Sequence, residues 1–281
     1  TTVICSEKTC TLTQNQMTVQ EVCVGGKCYE FSGVGYAPEG DITLDNSVVA
    51  PKQHGALTEC LRAGLLCNDS RLIHSEGKWG IEGDPTEAAL LSAALKSGLS
   101  SDSSEQDYPR VDTLPFESQH QYMATLHRTA SETHGVIYLK GSVESILSRC
   151  QDTLNDGEES TPLDQTLVYQ QVQEMAVRGL RVLAFARKIP DAPTLSVSHA
   201  DVKEGLTFLG LQAMMDPPRE EAISAVRTCQ RAGIQVKMIT GDHLATASAI
   251  AHMIGLVGSA EKEAQNFAIN GHRLAHMSDQ E

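Results

Sequence analysis

The 281-residue sequence is short of positive charge: 22 Lys and Arg stand against 36 Asp and Glu, for a formal net charge of −14. With no basic cluster either, it lacks the surface that nucleic acid or an anionic membrane requires. No apolar run approaches the roughly 18 residues needed to span a bilayer. The first residues do not follow the charged-then-apolar layout of a secretory signal. These absences predict a soluble chain. Aromatics are scarce at 4%, yet hydrophobic residues make up 41%, enough for a sizeable core and against disorder. The length suits one large domain or two ordinary ones. Among eight cysteines, only Cys60 with Cys67 and Cys23 with Cys28 are close enough in sequence to suggest pairing, and neither pair has the histidine support of a zinc site. A Gly25-Gly26 turn would set Cys23 across a hairpin from Cys28, where a disulfide is conceivable, whereas a reducing cytosol favours free thiols. The ten histidines are scattered without paired metal spacing, and His134, His252 and the others are read as surface or core.

What is present is punctuation and periodicity. Residues 1–5 are a β-branched run ending in a polar loop, a strand that delivers side chains at its C-terminal end, where open α/β sheets bind ligands. A hairpin is predicted over 19–31, then an irregular Gly-, Pro-, Asp- and Asn-rich excursion over 32–49 and a helix over 54–66. Asp84-Pro85-Thr86-Glu87 has the form of a helix start, with Asp84 as N-cap and Glu87 placed to close a capping box. A polar loop at 100–106 precedes strands at 111–116, 122–128 and 135–140 and a short helix at 142–150. An amphipathic helix over 165–178 is stopped by Gly179, followed by a strand at 180–186 and a loop at 188–204. The pattern then changes to a βαβα run: strand 206–213, helix 216–232, strand 234–239, helix 244–254. The first strand and this run share a parallel-sheet style that the middle lacks, which is the layout of one domain inserted into another.

Four segments carry chemistry. Cys5-Ser6-Glu7-Lys8-Thr9-Cys10-Thr11-Leu12-Thr13 closely resembles the phosphorylation motif Asp-Lys-Thr-Gly-Thr-Leu-Thr of the P-type cation-transporting ATPases. It departs at two positions, with Glu7 where the aspartate nucleophile belongs and Cys10 where glycine belongs. Lys140-Gly141-Ser142-Val143-Glu144 resembles the family's Lys-Gly-Ala-Pro-Glu nucleotide motif. Met215-Asp216-Pro217-Pro218-Arg219 is similar to its hinge motif, and Met238-Ile239-Thr240-Gly241-Asp242-His243 to its Thr-Gly-Asp loop. Four motifs in the family's order make the resemblance specific, where any one alone is weak.

The resemblance implies an α/β chain: a partial haloacid-dehalogenase-like Rossmann domain carrying an inserted α+β nucleotide-binding domain of antiparallel sheet plus helices. The expected pieces are 1–18 and 211–281 for the phosphorylation domain and 19–210 for the insert. It implies ATP and Mg²⁺ as cofactors, with Glu7, Lys8, Thr9, Thr240, Gly241 and Asp242 at the phosphorylation site and Glu7 and Thr9 as part of an incomplete Mg²⁺ site. It implies Glu87, Phe116, Lys140, Gly141, Arg181, Asp216 and Arg219 around the nucleotide. Several of these residues also have a structural role open to them. Glu7 suits a solvated loop, Thr240-Gly241-Asp242 a strand-to-helix turn capped by Asp242, and Phe116 the core. Lys140 suits an exposed strand end, Glu87 the capping box and Arg181 a solvent-side strand position. A glycine at position 10 would signal a positive φ or close approach to phosphate, so Cys10 strains the loop. Gln121 stands where the family's usual lysine lies downstream of the aromatic, which removes one phosphate-attracting charge.

Glu7 carries one methylene more than aspartate. In-line phosphoryl transfer tolerates little displacement, about 1 Å costing ~100-fold, so little or no phosphoenzyme is expected. The resemblance points to the cytosolic loop of an integral membrane pump of the calcium or sodium branch, monomeric in isolation, with transmembrane and actuator domains as partners. Two rivals remain open. One is a haloacid-dehalogenase-like phosphatase, disfavoured because Thr9 stands where such enzymes place a second acid. The other is an interaction module that has lost nucleotide binding.

Overall fold

The computed structural model describes residues 1–129, 134–242, 244–257, 268–269, 271–274 and 276–277. Strand β1 (Val3–Glu7) leads through an irregular turn, Lys8–Leu12, to the hairpin β2 (Thr18–Val24) and β3 (Lys27–Phe31), then β4 (Ile42–Leu44) and β5 (Ser47–Val48). Helix α1 (Gly55–Leu66) precedes β6 (Arg71–Ser75), β7 (Lys78–Glu82), α2 (Pro85–Lys96) and α3 (Ser101–Asp107). Strands β8 (Arg110–Glu117), β9 (Tyr122–His127) and β10 (Val136–Gly141) lead to α4 (Val143–Leu147), β11 (Cys150–Leu154), β12 (Ser160–Pro162) and α5 (Gln165–Val177). Then come β13 (Arg181–Lys188), β14 (Leu206–Met215), α6 (Glu220–Arg231), β15 (Gln235–Ile239), α7 (Leu244–Met253) and α8 (Gly271–Leu274).

The chain divides into two compact units. One comprises Met17–Val172 and Arg181–Met215; the other comprises Thr1–Gln16, Gln173–Leu180 and Asp216–Glu281.

The larger unit is built on an eleven-stranded sheet running β5-β4-β3-β2-β14-β13-β10-β9-β8, with β11 and β12 attached alongside β14. All its pairings are antiparallel except β11 with β14. β14 divides its partners lengthwise: Leu206 to Phe208 pair with β11 and Leu211 to Met215 with β2. Gly210 lies between them at φ 149°, where a Cβ would meet the Cys23 carbonyl at 2.5 Å, so this crossing requires glycine. Helices α1 and α2 bury Leu57, Leu61 and Leu90 against Val22, Phe185 and Met214 of the sheet. Charge enters this core at Glu59, which is 5% exposed and held by Arg62, by Arg187 at 2.8 Å and by the Tyr138 hydroxyl at 2.8 Å.

Local signals explain several elements. Asp84 caps α2, its carboxylate accepting from the N–H of Thr86 at 2.8 Å and of Glu87 at 3.1 Å. The Gly25-Gly26 turn sets Cys23 opposite Cys28 in register, and the two are joined as a disulfide, so the free-thiol expectation gives way to pairing imposed by the hairpin. Other expectations are corrected. Strand 206–213 belongs to the large antiparallel sheet and not to a parallel βαβα unit, because its apolar run is buried between β13 and β2. The polar stretch 100–106 is helical, with Ser100 accepting from the N–H of Ser103. Strands β4, β5, β6, β7, β11 and β12 have no counterpart in the sequence reading.

In the smaller unit β1 pairs in parallel with β15, Glu7 opposite Ile239, so the loops that follow both strands leave the same edge. Leu12, Ala222 and Ile254 form its small apolar core.

Candidate functional site

At that edge of the smaller unit Lys8 is 6% exposed. Its ammonium lies 3.5 Å from Asp216 and 2.9 Å from Asp242. Asp216 is further fixed by the Thr13 hydroxyl at 2.5 Å and the Gln16 N–H at 3.1 Å. Arg219 ties the segment closed, its Nε donating to the Thr13 carbonyl at 2.8 Å and its N–H to the Leu12 carbonyl at 2.9 Å. Glu7, Thr9 and Cys10 are exposed on this loop. Cys10 has φ 63°, a left-handed conformation for which glycine is the unstrained residue. The Asp242 N–H donates to Thr240 Oγ1 at 3.0 Å, closing the turn around Gly241. A cap by Asp242 on α7 would involve residue 243, which lies outside the described residues.

Asp216 and Arg219, expected around the nucleotide, therefore sit with Lys8 and Asp242. Glu87, Phe116, Lys140, Gly141 and Arg181 belong to the larger unit. There, Lys140, the penultimate residue of β10, lies opposite Met123 of β9, and the bulge of β8 between Leu114 and Glu117 carries Pro115 and Phe116 alongside. The three strands thus bring Lys140 and Phe116 to one end of the sheet. Phe116 is 61% exposed, a large aromatic kept out of the core. Lys140, at 7%, is not the exposed strand-end lysine of the alternative reading; it is ion-paired with Glu87.

Glu87 does not close a capping box. The Asp84 N–H donates to Ser70 Oγ at 2.8 Å, and the Glu87 carboxylate takes Lys140, the Ser70 hydroxyl at 2.9 Å and the Asp69 N–H at 3.1 Å. Gly141 has a structural cause: a Cβ there would run into the Gln121 carbonyl and approach Tyr122 Cα at 2.9 Å, so bare backbone admits the β8–β9 turn. Arg181 is exposed at the start of β13, opposite Met214.

Sequence reasoning missed Asn68, Asp69 and Ser70, whose Asx-type turn follows α1, the Asn68 Oδ1 accepting from the Ser70 N–H at 2.9 Å. It also missed the convergence of His120 and His199 beside Glu117. The scattered histidines of the sequence meet there because the β8–β9 turn and the loop after β13 lie side by side. A cleft of about 870 Å³ is lined by residues including Trp79, Leu91, Tyr108, Arg110 and His127 and touches neither Phe116 nor Lys140. It shares Asn68, Asp69 and Ser70 with the surroundings of Glu87.

One unit thus carries an exposed aromatic at the sheet end that also holds a paired lysine and glutamate, and the other a lysine clamped by two aspartates. A family model described as the P-type ATPase cytoplasmic domain N matches residues 56–221, more than half of the chain. Over the whole chain the sequence is 49% identical to the cation-transporting ATPase pma1 of Synechocystis, of which it covers 31%. It is 41% identical over 99% of its length to the probable cation-transporting ATPase F of Mycobacterium tuberculosis, covering 30% of that protein. It is 35% identical over 99% of its length to a calcium-transporting ATPase of Bacillus subtilis, covering 31%. The chain belongs to the P-type ATPase family. It spans about a third of the length of these relatives. No helix among the described residues is long and apolar enough to cross a membrane.

Proposed function

We propose that this chain is the ATP-binding part of a cation pump, the larger unit serving as nucleotide-binding domain and the smaller as part of the phosphorylation domain. One observation carries the reading: Phe116 is held in solvent at the end of the sheet that also carries the buried Lys140–Glu87 ion pair, although apolar burial would favour the opposite. An exposed ring offers a stacking face to adenine. Lys140 supplies positive charge toward phosphate, and Glu87 a carboxylate able to accept from an amino group.

Mg²⁺ takes hard oxygen ligands, often one or two carboxylates together with phosphate oxygens and water. The oxygens of Glu7 and Thr9 are exposed at the sheet edge and suit that demand, whereas Asp216 and Asp242 already hold Lys8. When bound, the ion neutralises charge on the transferring phosphoryl group. Lys8, fixed on two carboxylates, presents its charge without a searching side chain, which is preorganisation of the kind phosphoryl transfer uses. The carboxylate at position 7 would receive the phosphoryl group in the pump. The extra methylene of Glu7 displaces it, so this chain binds ATP without forming the acyl phosphate. The transported species is a cation; the name of the Bacillus relative supports calcium.

The test is an amide-resolved NMR titration with ATP, with and without Mg²⁺, of this chain and of Lys140→Ala. Saturable shifts at Phe116, Glu87 and Lys140, with an affinity nearer millimolar than micromolar, about −4 to −6 kcal/mol, and lost in the variant, are expected. No saturable shift up to ~10 mM ATP would refute nucleotide binding and leave an interaction scaffold. Acyl phosphate on Glu7 from labelled ATP would refute the inactivity of this chain.

A further inference from the structure

We propose that Glu117, His120 and His199 form a binding site for a divalent transition metal of the zinc class, separate from the phosphorylation site. One oxygen of Glu117 and one nitrogen of each imidazole lie within 4.8 Å of one another. Two imidazoles with a carboxylate are a borderline-soft donor set suited to Zn²⁺ and poorly suited to Mg²⁺ or Ca²⁺. Ligands around a tetrahedral Zn²⁺ at about 2.0–2.2 Å stand ~3.4 Å apart, so closure asks about 1 Å of side chains that are partly exposed and able to turn.

The backbone presents these groups deliberately. The β8–β9 turn is closed by the His120 and Gln121 N–H groups, which donate to the Glu117 carbonyl at 3.0 and 2.8 Å. This sets the Glu117 carboxylate 3.7 Å from His120 Nε2. His199 arrives from the loop between β13 and β14, and that loop is tied down on both sides of it. The Val197 N–H donates to Asp112 at 2.8 Å, and the Ser198 N–H and hydroxyl donate to Asp201 at 2.8 and 2.5 Å. The imidazoles of His120 and His199 meet with centroids 4.1 Å apart and planes tilted by 36°.

Tyr122 is the positioning residue. Its hydroxyl lies 2.6 Å from His199 Nδ1, and Arg149 covers its ring at 4.6 Å, so the phenol is fixed. With Nδ1 engaged, Nε2 is the nitrogen left for a metal, the arrangement in which an outer hydrogen bond selects the tautomer of a metal-binding histidine. Three protein ligands leave a fourth position for water. A bound ion would staple the β8–β9 turn to the loop between β13 and β14.

The experiment uses Zn²⁺ alone, without nucleotide, on the intact chain. Calorimetry is expected to show one saturable equivalent, with NMR shifts at Glu117, His120 and His199. His120→Ala and His199→Ala, both on surface segments, should each weaken binding at least tenfold, and Tyr122→Phe about 10- to 100-fold, as outer-shell partners do. Binding unchanged in both histidine variants overturns the proposal and assigns the metal to the exposed thiols of Cys5 and Cys10, which Cys5→Ser with Cys10→Ser would confirm. Absence of any saturable binding to the unmutated chain overturns it as well. A thermal shift with Zn²⁺ that survives in Tyr122→Phe at full affinity removes Tyr122 from its positioning role.

Discussion

Phe116→Ala separates a stacking residue from a packing residue. With 61% of the side chain exposed, the fold covers about two fifths of it, or ~80 Å² of a ~200 Å² aromatic. At ~25 cal/mol per Å² the folding loss is capped near 2 kcal/mol. That is below the ~5–15 kcal/mol stability of an ordinary domain, so the variant stays folded and can be titrated. Removing a stacking platform costs ~1–3 kcal/mol per base, which is a ~5- to ~150-fold loss of ATP affinity. Phe116→Tyr keeps the ring face and should bind ATP as the parent does. The assay is the NMR titration in parallel with urea unfolding of all three chains. Unchanged affinity in a folded Phe116→Ala chain would refute stacking. An equal loss in Phe116→Tyr would assign the effect to the β8 bulge and not to the ring.

Burial lowers the imidazole of His127 to about 4, despite its Nδ1–H donating to the Tyr108 carbonyl at 2.9 Å. A depressed value means the folded state binds fewer protons, so this stability is complete above about 6.5 and drains as pH falls toward 4, by roughly 3 kcal/mol in all. His127→Asn should flatten the stability profile across that window in urea melts, and an unaltered slope would refute the assignment. Glu59→Gln leaves Arg62 and Arg187 without their buried counter-charge and should cost about 3–5 kcal/mol; a loss under ~1 kcal/mol would show the network to be solvated. Reducing Cys23–Cys28, five residues apart, should lower stability by about 2 kcal/mol in the chain-entropy account of a short loop, seen as a shift of Tm with dithiothreitol. Cys10→Gly relieves the left-handed backbone at φ 63° and should stabilise the smaller unit by about 1 kcal/mol; destabilisation would show that the thiol packs usefully.

Local chemistry made parts of the fold legible. The Gly25-Gly26 turn announces its hairpin, and Asp84 with Pro85 announces α2, because both signals act within a few residues. Strand 206–213 shows where this fails: an apolar run says that a segment is buried, not which sheet buries it, and proximity to the α6–β15 repeat suggested the wrong partner. Short edge hairpins such as β6–β7 carry too few apolar residues for periodicity to show. The site divides the same way. Lys8 and Asp242 were legible as members of one site, but that Asp216 joins them on the same ammonium was not. Glu87 had a capping box open to it, and only the position of Ser70, which takes the N–H a capping box needs, closes that role. Gly141 carries a constraint the sequence does not show, bare backbone that admits the neighbouring turn.

The pairing of Thr18 with Met215 has a bearing on how the chain acquires its structure. The larger unit begins and ends on adjacent antiparallel strands, so its two ends emerge within one strand spacing, about 5 Å. For the smaller unit, whose β1 must find β15 across more than 200 intervening residues, an unfolded insert would be a long loop, and its closure entropy alone would be of order 5 kcal/mol. Once the insert has folded, the same connection behaves like a tight turn. This cost favours an order of assembly in which the sheet of the larger unit forms first, so that Lys8, Asp216 and Asp242 then meet without incurring it.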